Sequence, residues 1–146
     1  MPHSTSLRNL GTPDDSELIR SWFADDEEGN RRLEFYAQPE LWFSLFGPTR
    51  HGWFVIDRDH PVGFIDMEIN GEAGYIAYYV APEYRGLGHG NRTLLLMLDQ
   101  ARQIGLASLE GGVDPDNAAS IAALKRAGFE IGPLDEEDML PVTISL

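Results

Sequence analysis

Three apolar runs in the middle of the chain, residues 52–57, 62–70 and 74–81, are joined by turns too short for anything but antiparallel neighbours. The turns are Arg58-Asp59-His60-Pro61 and Asn70-Gly71-Glu72, and the Asn-Gly pair of the second favours a tight hairpin. The next apolar run, residues 106–113, comes only after a long amphipathic stretch, residues 88–104. Leu94, Met97, Leu98, Ala101 and Ile104 form one stripe of that stretch, which predicts a helix. A strand–helix–strand crossover makes the strands it joins parallel. An antiparallel meander continued by such a crossover gives a mixed sheet. The fold class predicted is α+β, with a mixed, twisted sheet and helices on both faces.

The flanking segments fit this frame. A strand is predicted near residues 6–10, followed by Thr12-Pro13-Asp14-Asp15, a capping hydroxyl, a proline and two acids that start a helix. Leu18, Ile19, Trp22 and Phe23 continue at helical spacing. A second helix is expected over residues 30–37 and a short helix or turn over 39–46, ended by Gly47-Pro48. One or two helices are thus inserted after the first strand. Past the crossover, Asn117 caps a helix over residues 117–127 and Gly128 closes it, with Lys125 and Arg126 in the last turn. Residues 129–131 and 139–146 are the closing strands. No repeat or linker divides the chain, so residues 1–146 are expected to form a single domain.

Composition removes several kinds of chemistry. There is no cysteine, hence no thiol nucleophile, disulfide or thiolate metal site. The histidines lack metal-ligand spacing, and no metal is expected. No stretch is long and apolar enough for a membrane span, and no signal peptide is visible, so a cytoplasmic location is expected. The net charge of −13 opposes nucleic acid and anionic membranes and favours cationic partners such as amines. Acids cluster at residues 25–28 and 135–138, where they read first as turn and helix-start chemistry.

The most informative local pattern is Tyr78-Tyr79-Val80-Ala81-Pro82-Glu83-Tyr84-Arg85-Gly86-Leu87-Gly88-His89-Gly90. A strand ends at a proline, passes three alternating glycines and opens into the long helix. Unpaired N–H groups and the positive end of a helix dipole meet there, which suits phosphate. A mononucleotide loop fails, because no Gly-Lys pair occurs in the chain. A dinucleotide fingerprint fails as well, because Asn91 stands where its third glycine belongs.

What remains is R-x-x-G-x-G at Arg85, Gly88 and Gly90, followed in order by Asn117-Ala118-Ala119-Ser120 and Ala127-Gly128-Phe129. With these two motifs and the element order, nearly the whole chain resembles the GNAT superfamily of N-acetyltransferases. The resemblance implies a sheet splayed between its fourth and fifth strands, with acetyl-CoA in the gap. It assigns the diphosphate of acetyl-CoA to Arg85, Gly86, Leu87, Gly88, His89 and Gly90, and a second cofactor segment to Asn117 and Ser120. His89 is expected to be exposed, and Arg85 to orient the loop or meet phosphate. The N–H of Val80 would face the thioester oxygen. The implied reaction is direct attack of a primary amine in a ternary complex. The acceptor is left open among small amines, aminoglycoside-like or polyamine compounds and protein or peptide amines, and the chain is expected to be a monomer or homodimer.

An amine of pKa about 10.4 is neutral in roughly one part in 10³ at pH 7, so a base is needed. Glu110 on the fifth strand is the first candidate and Glu68 the second, on one face of its strand with Asp66. Many members of the superfamily protonate the leaving thiolate with a helix tyrosine, but this chain has Leu124 at that position. Tyr78, Tyr79 or water then takes the role, or the thiolate leaves unaided, or the module binds acyl-CoA without turnover. Trp22, Phe23, Phe35, Tyr36, Trp42, Phe43 and Phe46 crowd the N-terminal helices. Helical spacing assigns most of them to the core and leaves one or two to line an acceptor site.

Overall fold

The computed structural model describes residues 5–146. The chain runs β1 (Thr5–Asn9), α1 (Pro13–Phe23), α2 (Glu27–Leu33), a 3-10 turn (Glu34–Ala37), α3 (Pro39–Phe43), β2 (Arg50–Asp57), β3 (His60–Asn70) and β4 (Ala73–Val80). A second 3-10 turn (Pro82–Tyr84) leads into α4 (His89–Ile104), then β5 (Ser108–Val113), α5 (Ala118–Ala127), β6 (Glu130–Ile131) and β7 (Leu140–Ser145). The strands form a seven-stranded sheet in the order β1-β2-β3-β4-β5-β7-β6. All neighbours are antiparallel except β4 and β5, so the sheet is mixed as predicted.

Strand alternation divides the core in two. Phe54, Phe64 and Tyr79 face α1 and α3, where Ile19, Trp22, Phe23, Tyr36 and Trp42 are buried against them. Val55, Ile65, Met67 and Ile76 face the other way, onto Leu94, Met97, Leu98 and Ala101 of α4 and Leu124 of α5. Ile104 is 38% exposed and lies outside this stripe. It stands beside Gly105, whose φ of +95° ends the helix.

The helix starts follow the capping rules. Thr12 and Asp15 form a reciprocal capping box on α1, and the Asn117 side chain accepts from the Ser120 N–H at 3.3 Å. The roof differs from expectation. Three short helices rather than one or two lie between β1 and β2, and α2 begins at Glu27 rather than at residue 30. Gly29 lowers helix propensity and hides that start. Tertiary packing requires it, since a Cβ there would lie 2.2 Å from Asp26 Oδ2 and 3.0 Å from the Tyr79 ring.

The parallel β4–β5 pairing covers only Ala73–Ser108, Gly74–Leu109 and Tyr75–Glu110. Beyond Tyr75 the two strands separate, which is the predicted splay. Meanwhile β3 and β4 stay in register to Gly63–Val80. Gly63 is needed at that pair: a Cβ on it would lie 2.0 Å from the Tyr79 carbonyl oxygen. The absent side chain lets the end of β4 lean across its neighbour as it turns away from β5.

Candidate functional site

The freed edge of β4 faces the gap. The Ala81 N–H donates to the Val62 carbonyl at 2.8 Å, which turns residue 81 towards β3. Ladder alternation therefore directs the main-chain groups of Ile76, Tyr78 and Val80 to the side that β5 has left. Two cavities follow the opening, of about 350 Å³ and about 120 Å³. Both are lined by Arg32, Leu33, Tyr78, Asn117 and Ser120. The larger runs on past Val80 to Arg85, Gly86, Gly88, His89 and Gly90. The smaller reaches Ile76, Gly111, Asp114 and Leu124.

The glycine loop is braced from outside. Gly86 and Gly88 have φ of +77° and +84°, backbone that glycine adopts without strain, and Gly88 is the N-cap of α4. Arg92 donates to the Leu87 carbonyl at 2.9 Å and lies 3.0 Å from His89 Nδ1. His89 is buried rather than exposed, its ring edge-on to Tyr84 at 5.9 Å. At the first helical position its side chain folds back under the loop instead of into solvent. Arg126 of α5 donates to the Asn91 side chain at 2.9 Å and ties the two helices at the cavity wall.

Arg85 is occupied on two sides. Its Nε donates to the Val80 carbonyl at 2.9 Å, and its Nη atoms reach Asp26 at 2.7 and 3.2 Å. Asp26 also accepts from Tyr79 Oη at 2.7 Å and from the Gly29 N–H at 3.0 Å. Burial of Asp26 raises its pKa, but the bonds from Arg85, Tyr79 and Gly29 outweigh that and hold it below the ordinary value. This buried carboxylate fixes the α2 start, the end of β4 and the glycine loop together. It was not among the residues singled out from sequence, because its partner Arg85 lies 59 positions away.

Arg32 bridges the two walls of the opening. It contacts Glu28 at 2.9 Å on its own helix, and Asp114 at 2.7 Å and Asp116 at 2.9 Å beyond β5. Glu28 also lines the larger cavity. Neither Arg32 nor these acids stood out individually in the sequence, where a charge run reads as solvated surface.

The remaining candidates lie apart from the cavities. Glu68 is exposed and pairs with Arg50 at 3.3 Å. Its strand-mate Asp66 is buried, held by Arg50 at 2.7 Å and by Tyr36 Oη at 2.6 Å. Glu110 is exposed at the apex of the splay, paired in register with Tyr75. None of the seven aromatic residues of the N-terminal helices lines either of these two cavities. Trp22, Phe23, Tyr36 and Trp42 are consumed by the core under the sheet.

The profile of the acetyltransferase (GNAT) family matches residues 16–129. The chain belongs to this family. Among curated GNAT relatives, the uncharacterized N-acetyltransferase YfmK of Bacillus subtilis is 23% identical over 84% of this chain and 83% of its own length. The L-methionine sulfoximine/L-methionine sulfone acetyltransferase of Pseudomonas aeruginosa is 26% identical over 88% and 81%. The fold matches the spermidine N-acetyltransferase of Vibrio cholerae in complex with CoA and spermine, with a TM-score of 0.83, 20% identity and coverage of 97% and 95%. It also matches the aminoglycoside acetyltransferase AAC(6')-Ib in complex with CoA and kanamycin, with a TM-score of 0.82, 13% identity and the same coverage. At these identities the structural likeness is one of fold. Among the described residues, no helix of this GNAT protein is long and apolar enough to cross a membrane.

Proposed function

We propose that this N-acetyltransferase moves an acetyl group from acetyl-CoA to a cationic primary amine by direct attack within a ternary complex. The observation that carries the proposal is the gap itself. Parallel pairing stops at Tyr75–Glu110, and the larger cavity follows the unpaired edge to the glycine N-terminus of α4. A pantetheine chain can add to that edge as an extra strand, while its diphosphate meets the N–H groups of residues 86–90. The Val80 N–H is then the donor to the thioester oxygen, and Asn117 and Ser120 form the opposite wall. Arg85 supports the loop through Asp26 and the Val80 carbonyl.

The acceptor class rests on charge. The chain carries a net −13, and Glu28, Asp114 and Asp116 surround Arg32 at the opening. Four of its five N–H groups face these carboxylates, so Arg32 offers no free fork to an acceptor carboxylate. An ammonium is favoured over a carboxylate there.

The experiment is thiol release from acetyl-CoA with a panel of monoamines, polyamines, aminoglycosides and amino acids, alongside calorimetric titration of CoA and ATP. Turnover with cationic amines and binding of CoA over ATP are expected. CoA binding without thiol release from any amine would instead support an acyl-CoA-binding module, the reading that Leu124 favours.

Glu110 sits at the apex on the exposed side, apart from both cavities, so any proton path from the amine to it runs through solvent. Glu110→Gln is expected to lower kcat about 10- to 100-fold at pH 7. The deficit should shrink as pH rises towards the amine's pKa of about 10.4, because the acceptor then deprotonates unaided. A constant ratio from pH 6 to 9 would remove Glu110 from the proton path, and Glu68→Gln becomes the next variant.

A further inference from the structure

The one polar bond between β4 and α5 across the gap joins Tyr78 Oη to Ser120 Oγ at 2.7 Å. Both residues line both cavities, so this bond stands where the two meet. We propose that Tyr78, entering from β4, is the proton donor to the departing CoA thiolate, and that Ser120 is the residue that positions it. The proposal rests on the acetyl-transfer reading above.

The helix geometry explains why the donor sits on the strand. Long side chains on a helix lean over the turn N-terminal to their own Cα. Ser120 lies one turn before position 124 on the same face of α5. A tyrosine at position 124 would therefore carry its hydroxyl towards Ser120, the spot that the Tyr78 phenol already fills. The two phenols would compete for the same place beside the serine hydroxyl. Leu124 is buried and short, and it lines only the smaller cavity. A phenol meets α5 in this chain, but from the opposite wall.

Tyr79 and Tyr84, the other two phenols that line the larger cavity, are committed elsewhere. Tyr79 faces the opposite side of the sheet, bonded to Asp26 and stacked on Phe23 and Phe64 at 4.6 and 5.1 Å. Tyr84 packs edge-on to His89 at the diphosphate end of the larger cavity. Burial raises the pKa of Tyr78 and the Ser120 bond offsets that only in part, so the phenol carries its proton at neutral pH. The charged groups in the smaller cavity, Arg32 and Asp114, are paired with each other at 2.7 Å.

The step balances without a further reactant. The neutral amine nitrogen bonds the thioester carbonyl carbon, and the excess N–H proton goes to the base. The C–S bond then breaks and sulfur takes the Tyr78 Oη proton, giving free CoA thiol. Ser120 turns its hydroxyl to the phenolate until solvent returns a proton.

The test is kinetic and uses the full chain. Tyr78→Phe is expected to lower kcat about 30-fold or more, with KM for acetyl-CoA and calorimetric CoA affinity within threefold. Adding Leu124→Tyr to Tyr78→Phe returns a phenol to the same place from the helix, and at least tenfold recovery of kcat is expected. Ser120→Ala keeps the acid but frees it, so the alkaline limb of the kcat profile moves. A Tyr78→Phe kcat within threefold of wild type overturns the proposal, as does a loss matched by an equal loss of CoA affinity. Wild-type protein that binds CoA yet releases no thiol overturns the acetyl-transfer reading and this proposal together. Turnover by wild type with an unaffected Tyr78→Phe variant overturns this proposal alone.

Discussion

Gly88→Val is expected to abolish CoA binding, with at least a hundredfold loss of affinity, while the fold survives. Gly88 has a φ of +84°, and a β-branched residue in left-handed backbone is strained by about 1–2 kcal/mol. A Cβ there would also lie 3.1 Å from Nη1 of Arg92, whose Nη2 holds the Leu87 carbonyl and contacts His89. Relieving both problems moves the N-cap of α4 and re-aims the N–H groups proposed to meet the diphosphate. A hundredfold is about 2.7 kcal/mol, within reach of strain and lost anion bonds together. The core of α4 lies further along, at Leu94, Met97, Leu98 and Ala101, so the melting temperature should fall only a few degrees. Titration calorimetry with CoA and a thermal melt make the comparison. Unchanged affinity would take the loop out of the binding site.

Asp26→Asn is expected to destabilise the fold by roughly 2–3 kcal/mol at pH 7. The carboxylate is buried, and its loss strips charge from the partner of Arg85, Tyr79 and the Gly29 N–H. Arg85 keeps a side-chain exposure of 38%, so water recovers part of its solvation and the figure lies below that for a fully buried pair. The pH dependence has a definite sign. The folded carboxyl titrates below its unfolded counterpart, so its contribution is in force above about pH 4 and vanishes as pH falls through the folded value. Urea melts at pH 7 should separate wild type from variant, and the gap should narrow as pH falls below the unfolded carboxyl's value of about 4. A gap that persists at low pH would mean that packing around Gly29, not charge, carries the effect.

Much of the architecture was legible because its signals are local. The Asn70-Gly71 turn, the Asn117 cap and the glycines after α4 and α5 each act within a few residues. Element order alone then required a parallel pair, and the resemblance to the GNAT superfamily supplied the splay. The glycine loop was legible for the same reason. The roof was not, because Gly29 answers to Asp26 and Tyr79 rather than to helix propensity. Arg85, Arg32 and Tyr78 could be named from sequence or overlooked, but their partners lie 59, 82 and 42 positions away. Buried charge at Asp26 and Asp66 escaped attention because acids in an acidic chain read as surface. His89 misled for a related reason: its first helical turn points beneath the loop, not away from it.

The bridge from Arg32 to Asp114 and Asp116 carries one more consequence. The opening is fastened at its apex by main-chain ladder bonds and at its mouth by charges on side chains, Asp116 being 63% exposed. Solvent ions weaken the second fastening far more than the first, over a screening length of about 8 Å at physiological salt. The protein thus has a door whose latch responds to ionic strength while its frame does not. CoA dissociation measured by stopped flow should quicken from 20 to 500 mM salt in wild type, and Arg32→Gln should be fast at both. Equal salt dependence in the two proteins would show that the latch does not limit exit.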